Sequence, residues 1–187
     1  MPQDQLTGLF NRQYCIEKLE TVISDCEQEK YTAALLEIQI DNFDNIKDSV
    51  GVVDADQYLV DAAKTLSEAL GDDDILSRYT HDCFVVIAID YTKDNIKSYA
   101  AQLQKAISQL EANINKTHIN TTCCIGITLI DSDSPEYNDI LSRSKKAVTA
   151  ATKKGAGQIH TYVPRKGELT RQEVDIKFKE QLTAALK

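Results

Sequence analysis

Helical and strand periods alternate along this sequence, and the alternation is interrupted once, where two short apolar runs lie only a few residues apart. The runs cover residues 75–79 and 83–89, and Thr80-His81-Asp82 separates them, which is hairpin spacing. Between most of the other strand-like runs a helical pattern intervenes. The combination restricts the chain to an α/β (α+β) layered domain, with a mixed central sheet that contains one hairpin and is covered by helices.

The individual runs are legible. Cys15, Leu19, Val22, Ile23 and Cys26 fall on one helical face. Residues 31–40 read as a buried strand, because Ala33-Ala34-Leu35-Leu36 is continuously apolar. Asp41-Asn42 breaks it, and a short helix over 43–50 ends at Gly51. Leu59, Ala62, Ala63, Leu66, Ala69 and Leu70 mark a long amphipathic helix closed by Gly71-Asp72-Asp73-Asp74. After the hairpin, Ile96, Tyr99, Ala100, Leu103, Ile107 and Leu110 define another helix. Residues 121–130 form a strand through Gly126, and Tyr137, Ile140, Leu141, Ser144, Ala147, Val148 and Ala151 a further helix. Gly155-Ala156-Gly157 stops that helix before a last strand over 158–162.

Past Pro164 the composition changes. Val174, Phe178, Leu182 and Leu186 recur every four residues and give a helix with one apolar stripe. Such a stripe must be covered by this domain, by a partner or by a further domain downstream. The expected organisation is therefore a domain over residues 1–163 and a linker helix over 164–187. Met1-Pro2 reads as a chain start.

The 187 residues suffice for a core that needs neither metal nor disulfide. The net charge of -8 argues against nucleic-acid binding, which needs a basic surface. No apolar run reaches the roughly 18 residues of a membrane span, and no signal peptide is apparent. Cys15, Cys26, Cys83, Cys123 and Cys124 form no C-x-x-C pair and read as reduced, mostly buried thiols of a cytoplasmic protein. His81, His118 and His160 are too scattered for a zinc site.

The candidate site is acidic. Asp41, Asp44, Asp48, Asp54 and Asp56 follow the first strand, and Asp82 sits in the hairpin tip. Strand ends and hairpin tips are where α/β folds place ligands. Carboxylates on two such loops would suit Mg²⁺ and its phosphates. They suit helix caps and solvated loops as well, and that is their commoner use.

Several segments together resemble the GGDEF family. Asp4-Gln5-Leu6-Thr7-Gly8-Leu9-Phe10-Asn11-Arg12 is similar to that family's D-x-L-T-G-L-x-N-R opening. Ile40-Asp41-Asn42-Phe43, Gly51 and Asp56 resemble its first strand, loop and helix. Ser77-Arg78-Tyr79-Thr80-His81-Asp82-Cys83-Phe84 stands in the place of its R-Y-G-G-D-E-F hairpin. Thr122-Cys123-Cys124-Ile125-Gly126 resembles its T-x-S-I-G strand, and residues 144–157 its A-D-x-A-L-Y-x-A-K-x-x-G-R-N helix. The order and spacing agree from about residue 4 to 162. The resemblance implies the nucleotidyl cyclase-like fold of diguanylate cyclases.

Active members join two GTP molecules into cyclic di-GMP with Mg²⁺ held by two acidic residues. Carried over residue by residue, the resemblance implies that this site is degenerate. The first metal aspartate falls at Gln39 and the phosphate-facing lysine at Asp44. The guanine-reading asparagine falls at Lys47. The hairpin glycines fall at Thr80 and His81, the catalytic glutamate at Cys83, and the late lysine and arginine at Thr152 and Ala156. Asp56, which pairs with guanine in the family, and Asp82, the second metal position, are retained; Phe84 keeps the last residue of the hairpin motif. The inhibitory R-x-x-D product site falls at Gly71 and Asp74, so its arginine is missing.

The resemblance thus implies no catalytic residue, no resident metal or cofactor, and at most weak binding of GTP and Mg²⁺. Residues 169–186 resemble the helix that leads from a GGDEF into an EAL domain. The chain reads as a module of a composite protein of the FimX and LapD kind, serving dimerisation, signal relay or docking. Its expected partners are its own EAL and sensor domains, another signalling protein or a second copy, with no membrane contact. The alternative is an allosteric GTP sensor that tunes a linked EAL phosphodiesterase.

Overall fold

The computed structural model describes residues 2–165 and 171–186. At its centre is β1 (Ala33–Ile40), paired antiparallel with β3 (Cys83–Ile89) on one side and β6 (Cys123–Ile130) on the other. β2 (Ile75–Thr80) completes the hairpin at one edge, and β7 (Ile159–Thr161) joins β6 in parallel at the other. The order β2-β3-β1-β6-β7 makes the sheet mixed, as the hairpin and the helical crossovers require. The parallel pair arises because α5 (Tyr137–Lys153) intervenes between β6 and β7.

The first half of β1, Ala33-Ala34-Leu35-Leu36, lacks polar alternation because both faces of the sheet are covered. Ala34, Leu36, Ile38 and Ile40 point into the larger core with α3 (Val52–Ala69) and α4 (Ile96–Ser108). Ala33 and Leu35 point into the other, against α1 (Arg12–Glu27) and the start of α5. Neighbouring Cys123 and Cys124 likewise part to opposite faces. Cys123 enters the larger core, whereas the Cys124 thiol lies 3.3 Å from both Asp41 Oδ1 and the Gly155 carbonyl, either of which can accept its single S–H. All five cysteines are free and buried.

Gly126 fixes how close α5 approaches. A Cβ there would lie 2.4 Å from the Val148 nitrogen, so only glycine lets the helix backbone rest on β6. The opening nonapeptide is also tied down. The Asp4 carboxylate accepts from the Thr7 amide (2.8 Å) and hydroxyl (2.7 Å), and Arg78 lies 3.4 Å away. Burial pushes the Asp4 carboxyl up, but the Thr7 bonds and the Arg78 charge outweigh it and hold the group below its ordinary value.

The strands β1, β6 and β7 begin one or two residues later than the sequence expectation, and two larger differences stand out. The long helix starts at Val52, a full turn and more before its first periodic apolar residue. Val52 and Val53 at its start are exposed, whereas Ala55 and Tyr58 already enter the larger core, a part of the buried stripe that the apolar series from Leu59 left out. The chain between α4 and β6 also carries an unexpected second hairpin, β4 (Ala112–Ile114) with β5 (Thr117–Ile119). Its three-residue strands are too short to show a period, and its turn uses Asn115 and Lys116 at positive φ without glycine.

α6 (Arg171–Ala185) follows the domain. Phe178, Leu182 and Leu186 are 60%, 49% and 87% exposed, so this part of the expected stripe is not buried on the domain itself. Leu169 and Thr170, at the start of the proposed linker, and the Val174 side chain lie outside the described residues. Among the described residues no helix is long and apolar enough to cross a membrane.

Candidate functional site

The β2–β3 tip and the start of α2 (Phe43–Val50) meet at one end of the sheet, where the end of β1 lies between them. Gln39, in β1, stands opposite Cys83 on one side and Cys124 on the other. Asp82 is anchored through its carbonyl, which accepts from the Ile40 amide at 3.0 Å. Its carboxylate accepts from the Thr80 hydroxyl at 3.4 Å. His81 Nε2 lies 3.3 Å from Asp44 Oδ1 and 3.7 Å from Asp82 Oδ1. The sequence-expected positions Gln39, Asp44, Thr80, His81, Asp82 and Cys83 are therefore brought to one place.

Beneath the tip lies a group that the sequence reading missed. Glu37 is 4% exposed, and its two oxygens accept from the Ser144 hydroxyl (2.7 Å) and the Cys83 thiol (3.5 Å). Burial, with the Glu37 charge beside it, holds the Cys83 thiol well above the usual thiol range. Cys83 stands at the position to which the resemblance assigns the family's catalytic glutamate, and its thiol donates to Glu37. A lone charged residue inside Ala33-Ala34-Leu35-Leu36-Glu37-Ile38 is the sequence signal that could have revealed it. Phe84, beside Cys83 on the hairpin, is buried on the opposite face in the larger core.

The carboxylates of the acidic cluster go to separate partners. Asp41 is consumed structurally: its Oδ2 accepts from the Thr122 hydroxyl (2.5 Å) and the Gly157 amide (2.8 Å). It thus pins the loop after α5 to the end of β1. Asp54 accepts from Asn115 Nδ2 at 2.8 Å. Asp48 is exposed on α2, and Asp56 is partly buried on α3. Among the described residues no group of three or more His, Cys, Asp or Glu is placed to hold a metal ion. Lys47 projects from the last turn of α2, exposed. Thr152 spends its hydroxyl on the Thr149 carbonyl (2.9 Å), and Ala156 is exposed in the loop after α5.

At the Gly71 and Asp74 position the polar groups bond one another. Asp74 accepts from the Tyr99 hydroxyl (2.5 Å), the Gly71 amide (3.1 Å) and the Ile89 amide (2.9 Å). Tyr91 stacks on Tyr99 with centroids 4.5 Å apart. Any Cβ at position 71 would stand 2.9 Å from Asp74 Oδ2.

The family model for the diguanylate cyclase GGDEF domain matches residues 1–158. The chain belongs to the GGDEF family. It is 26% identical over 161 residues to the cyclic di-GMP phosphodiesterase PdeR of Escherichia coli, covering 86% of this chain and 24% of that protein. It is 26% identical over 144 residues to diguanylate cyclase A of Treponema denticola, covering 77% of this chain and 38% of that protein. The FimX GGDEF domain of Pseudomonas aeruginosa superposes with a TM-score of 0.81 at 21% identity, covering 85% of this chain and 98% of that one. At that identity the superposition establishes the nucleotidyl cyclase-like fold. The chain spans about a quarter of the first of these curated relatives, 24%, so this GGDEF domain corresponds to one part of such a protein. Its curated relatives carry the names of both cyclic di-GMP phosphodiesterases and cyclases.

Proposed function

We propose that this GGDEF domain is catalytically inactive and serves as a regulatory and interaction module in cyclic di-GMP signalling, in the cytoplasm. The observation that carries the reading is the His81–Asp44 pair at 3.3 Å. In the family's arrangement glycine and lysine at these places leave room for phosphate and attract it. Here an imidazole and a carboxylate face each other across that space, and Asp44 adds negative charge where a triphosphate needs positive.

Three further features support the reading. Gln39 offers a neutral amide where Mg²⁺ favours an anionic oxygen. Cys83 is locked to buried Glu37. The Thr152 hydroxyl is bonded to its own helix. On this reading the domain holds no resident metal or cofactor, and Asp56 and Asp82 serve local structure. Its partners are EAL and sensor domains of a composite protein of the FimX and LapD kind, another signalling protein, or a second copy. The names of the phosphodiesterase relatives fit that placement.

Calorimetric titration with a non-hydrolysable GTP analogue and Mg²⁺ tests the reading, followed by cyclic di-GMP. No heat in either titration is expected. Micromolar GTP binding that is lost in Asp82→Ala would overturn the closed-site reading and make the domain a nucleotide sensor.

A further inference from the structure

On the face turned away from the sheet, α5 carries a stripe of positive charge that the hairpin site does not use. Its other face buries Ser144, Ala147, Val148 and Ala151. Lys145, Lys146, Lys153 and Lys154 are exposed. At 3.6 residues per turn, Lys145, Lys146 and Lys153 fall within an arc of about 100° and span about 12 Å along the axis. Among the described residues none of the four makes an ion pair. Between Asp139 and Glu168 the sequence holds no Asp or Glu, although the chain as a whole has a net charge of -8. The stripe therefore sets up a local field opposite in sign to that of the molecule.

Cations at a helix C-terminus complement the macrodipole, which accounts for Lys153 and Lys154. It does not account for Lys145 and Lys146. They lie about two turns earlier, and the dipole effect fades within the last turn. Their charge needs a counter-charge from outside the domain.

The shape of the stripe selects among anions. A single phosphate is too small, because ammonium groups strung over about 12 Å of a convex helix cannot converge on it. A bilayer or a nucleic acid is too extended. It would run on to Glu136 and Asp139 at the start of α5, where Glu20 and Glu27 of α1 stand beside them. A protein segment with carboxylates spaced over the same length covers the lysines and stops short of those acids. We infer that the α5 stripe docks an acidic segment of a partner protein, with a carboxylate facing each of Lys145, Lys146 and Lys153. The inference deepens the interaction-module reading and rests on it, giving that module a surface and a partner chemistry. Exposed ion pairs each add little, so the contact is weak, quick to form and sensitive to salt.

Titration of the whole chain at low salt tests it, followed by amide NMR shifts. The probe is a helical peptide with glutamate at every fourth position of an alanine background. Saturable binding is expected, with shifts confined to α5 and the loop after it. Lys146→Glu/Lys153→Glu should weaken binding at least about tenfold. Lys97→Glu/Lys105→Glu on α4 changes the net charge equally and should leave binding within about twofold of native. All four side chains are exposed, so both variants should melt with the native chain. No saturable binding by the native chain, shifts centred elsewhere, or an equal loss in the two variants overturns the inference. Tighter binding to phosphatidylglycerol–phosphatidylcholine vesicles than to the peptide overturns it too and assigns the stripe to a membrane surface. Each of these results leaves the inactivity reading standing. Failure of that reading shows separately, as GTP binding or turnover.

Discussion

His81 Nε2 lies 3.3 Å from Asp44 Oδ1, so the hairpin tip and the first turn of α2 are joined. Both side chains are largely exposed, at 59% and 77%, so the pair contributes little to stability. Its effect is steric and electrostatic. Replacing Asp44→Lys, Thr80→Gly and His81→Gly together should tighten GTP–Mg²⁺ binding by at least about tenfold, equal to ~1.4 kcal/mol. Cyclic di-GMP synthesis should remain absent, because Gln39 and Cys83 are unchanged. Calorimetry and a product assay on the triple variant check both halves.

Restoring the acidic residue of the hairpin should damage the protein. Cys83→Glu places a second carboxylate against Glu37 in a site closed to water. A loss of about 3 kcal/mol in unfolding free energy is expected from the buried like-charge contact. Adding Glu37→Gln should recover most of it. Gln39→Asp with Cys83→Glu should show no turnover, because the phosphate cations are still missing. Denaturant unfolding of the single and double variants measures the first effect, and a product assay the second.

Asp74 should behave as a structural cap. Asp74→Ala removes the acceptor of the Tyr99 hydroxyl and of the Ile89 amide and leaves the Gly71 amide only its longer bond to the Tyr99 hydroxyl, at a cost of about 2–3 kcal/mol. Gly71→Arg should fail to create cyclic di-GMP binding and should itself destabilise, because its Cβ meets Asp74 Oδ2 at 2.9 Å. Thermal melts and a titration with the dinucleotide are the measurements.

The Asp4 carboxyl is held below its ordinary value of 3.8 by Thr7 and Arg78. A folded-state value below the unfolded one adds stability that is fully present above about pH 4 and is lost as pH falls through the folded value. Asp4→Asn should therefore destabilise by about 1 kcal/mol at neutral pH, and the difference from the native chain should shrink below pH 4. Melting temperature against pH for both proteins tests the sign.

Gly126→Ala should be among the most damaging single substitutions. The added methyl meets the Val148 nitrogen at 2.4 Å, and backbone cannot step aside as a side chain would. A loss of about 3 kcal/mol is expected, from forced separation of α5 and β6. Chemical denaturation measures it.

How legible each part was depended on how local its cause is. α2 was readable to the residue, because Asp41-Asn42 breaks the strand before it and Gly51 ends it at φ 89°. β1 and the β2–β3 hairpin were readable because apolar content and spacing are properties of short segments. The β4–β5 hairpin was not, since three-residue strands have no period and Asn115 and Lys116 lack a glycine signal. Within the site, the residue types at Gln39, Asp44 and Thr152 are written in the sequence itself. Where the remaining carboxylates go is not. Asp41 turns to Thr122 and Gly157, Asp54 to Asn115, and Asp74 to Tyr99, and each of those partners is 25 or more residues away.

By itself, then, the sequence determined the layered α/β class, the hairpin and the residue types available at its tip, because periodicity, turn chemistry and side-chain charge are carried by each segment alone. Only the tertiary structure decided that Glu37 lies buried under Cys83 and that His81 faces Asp44. Those relationships depend on strand register and helix docking, which bring together residues that no local pattern couples.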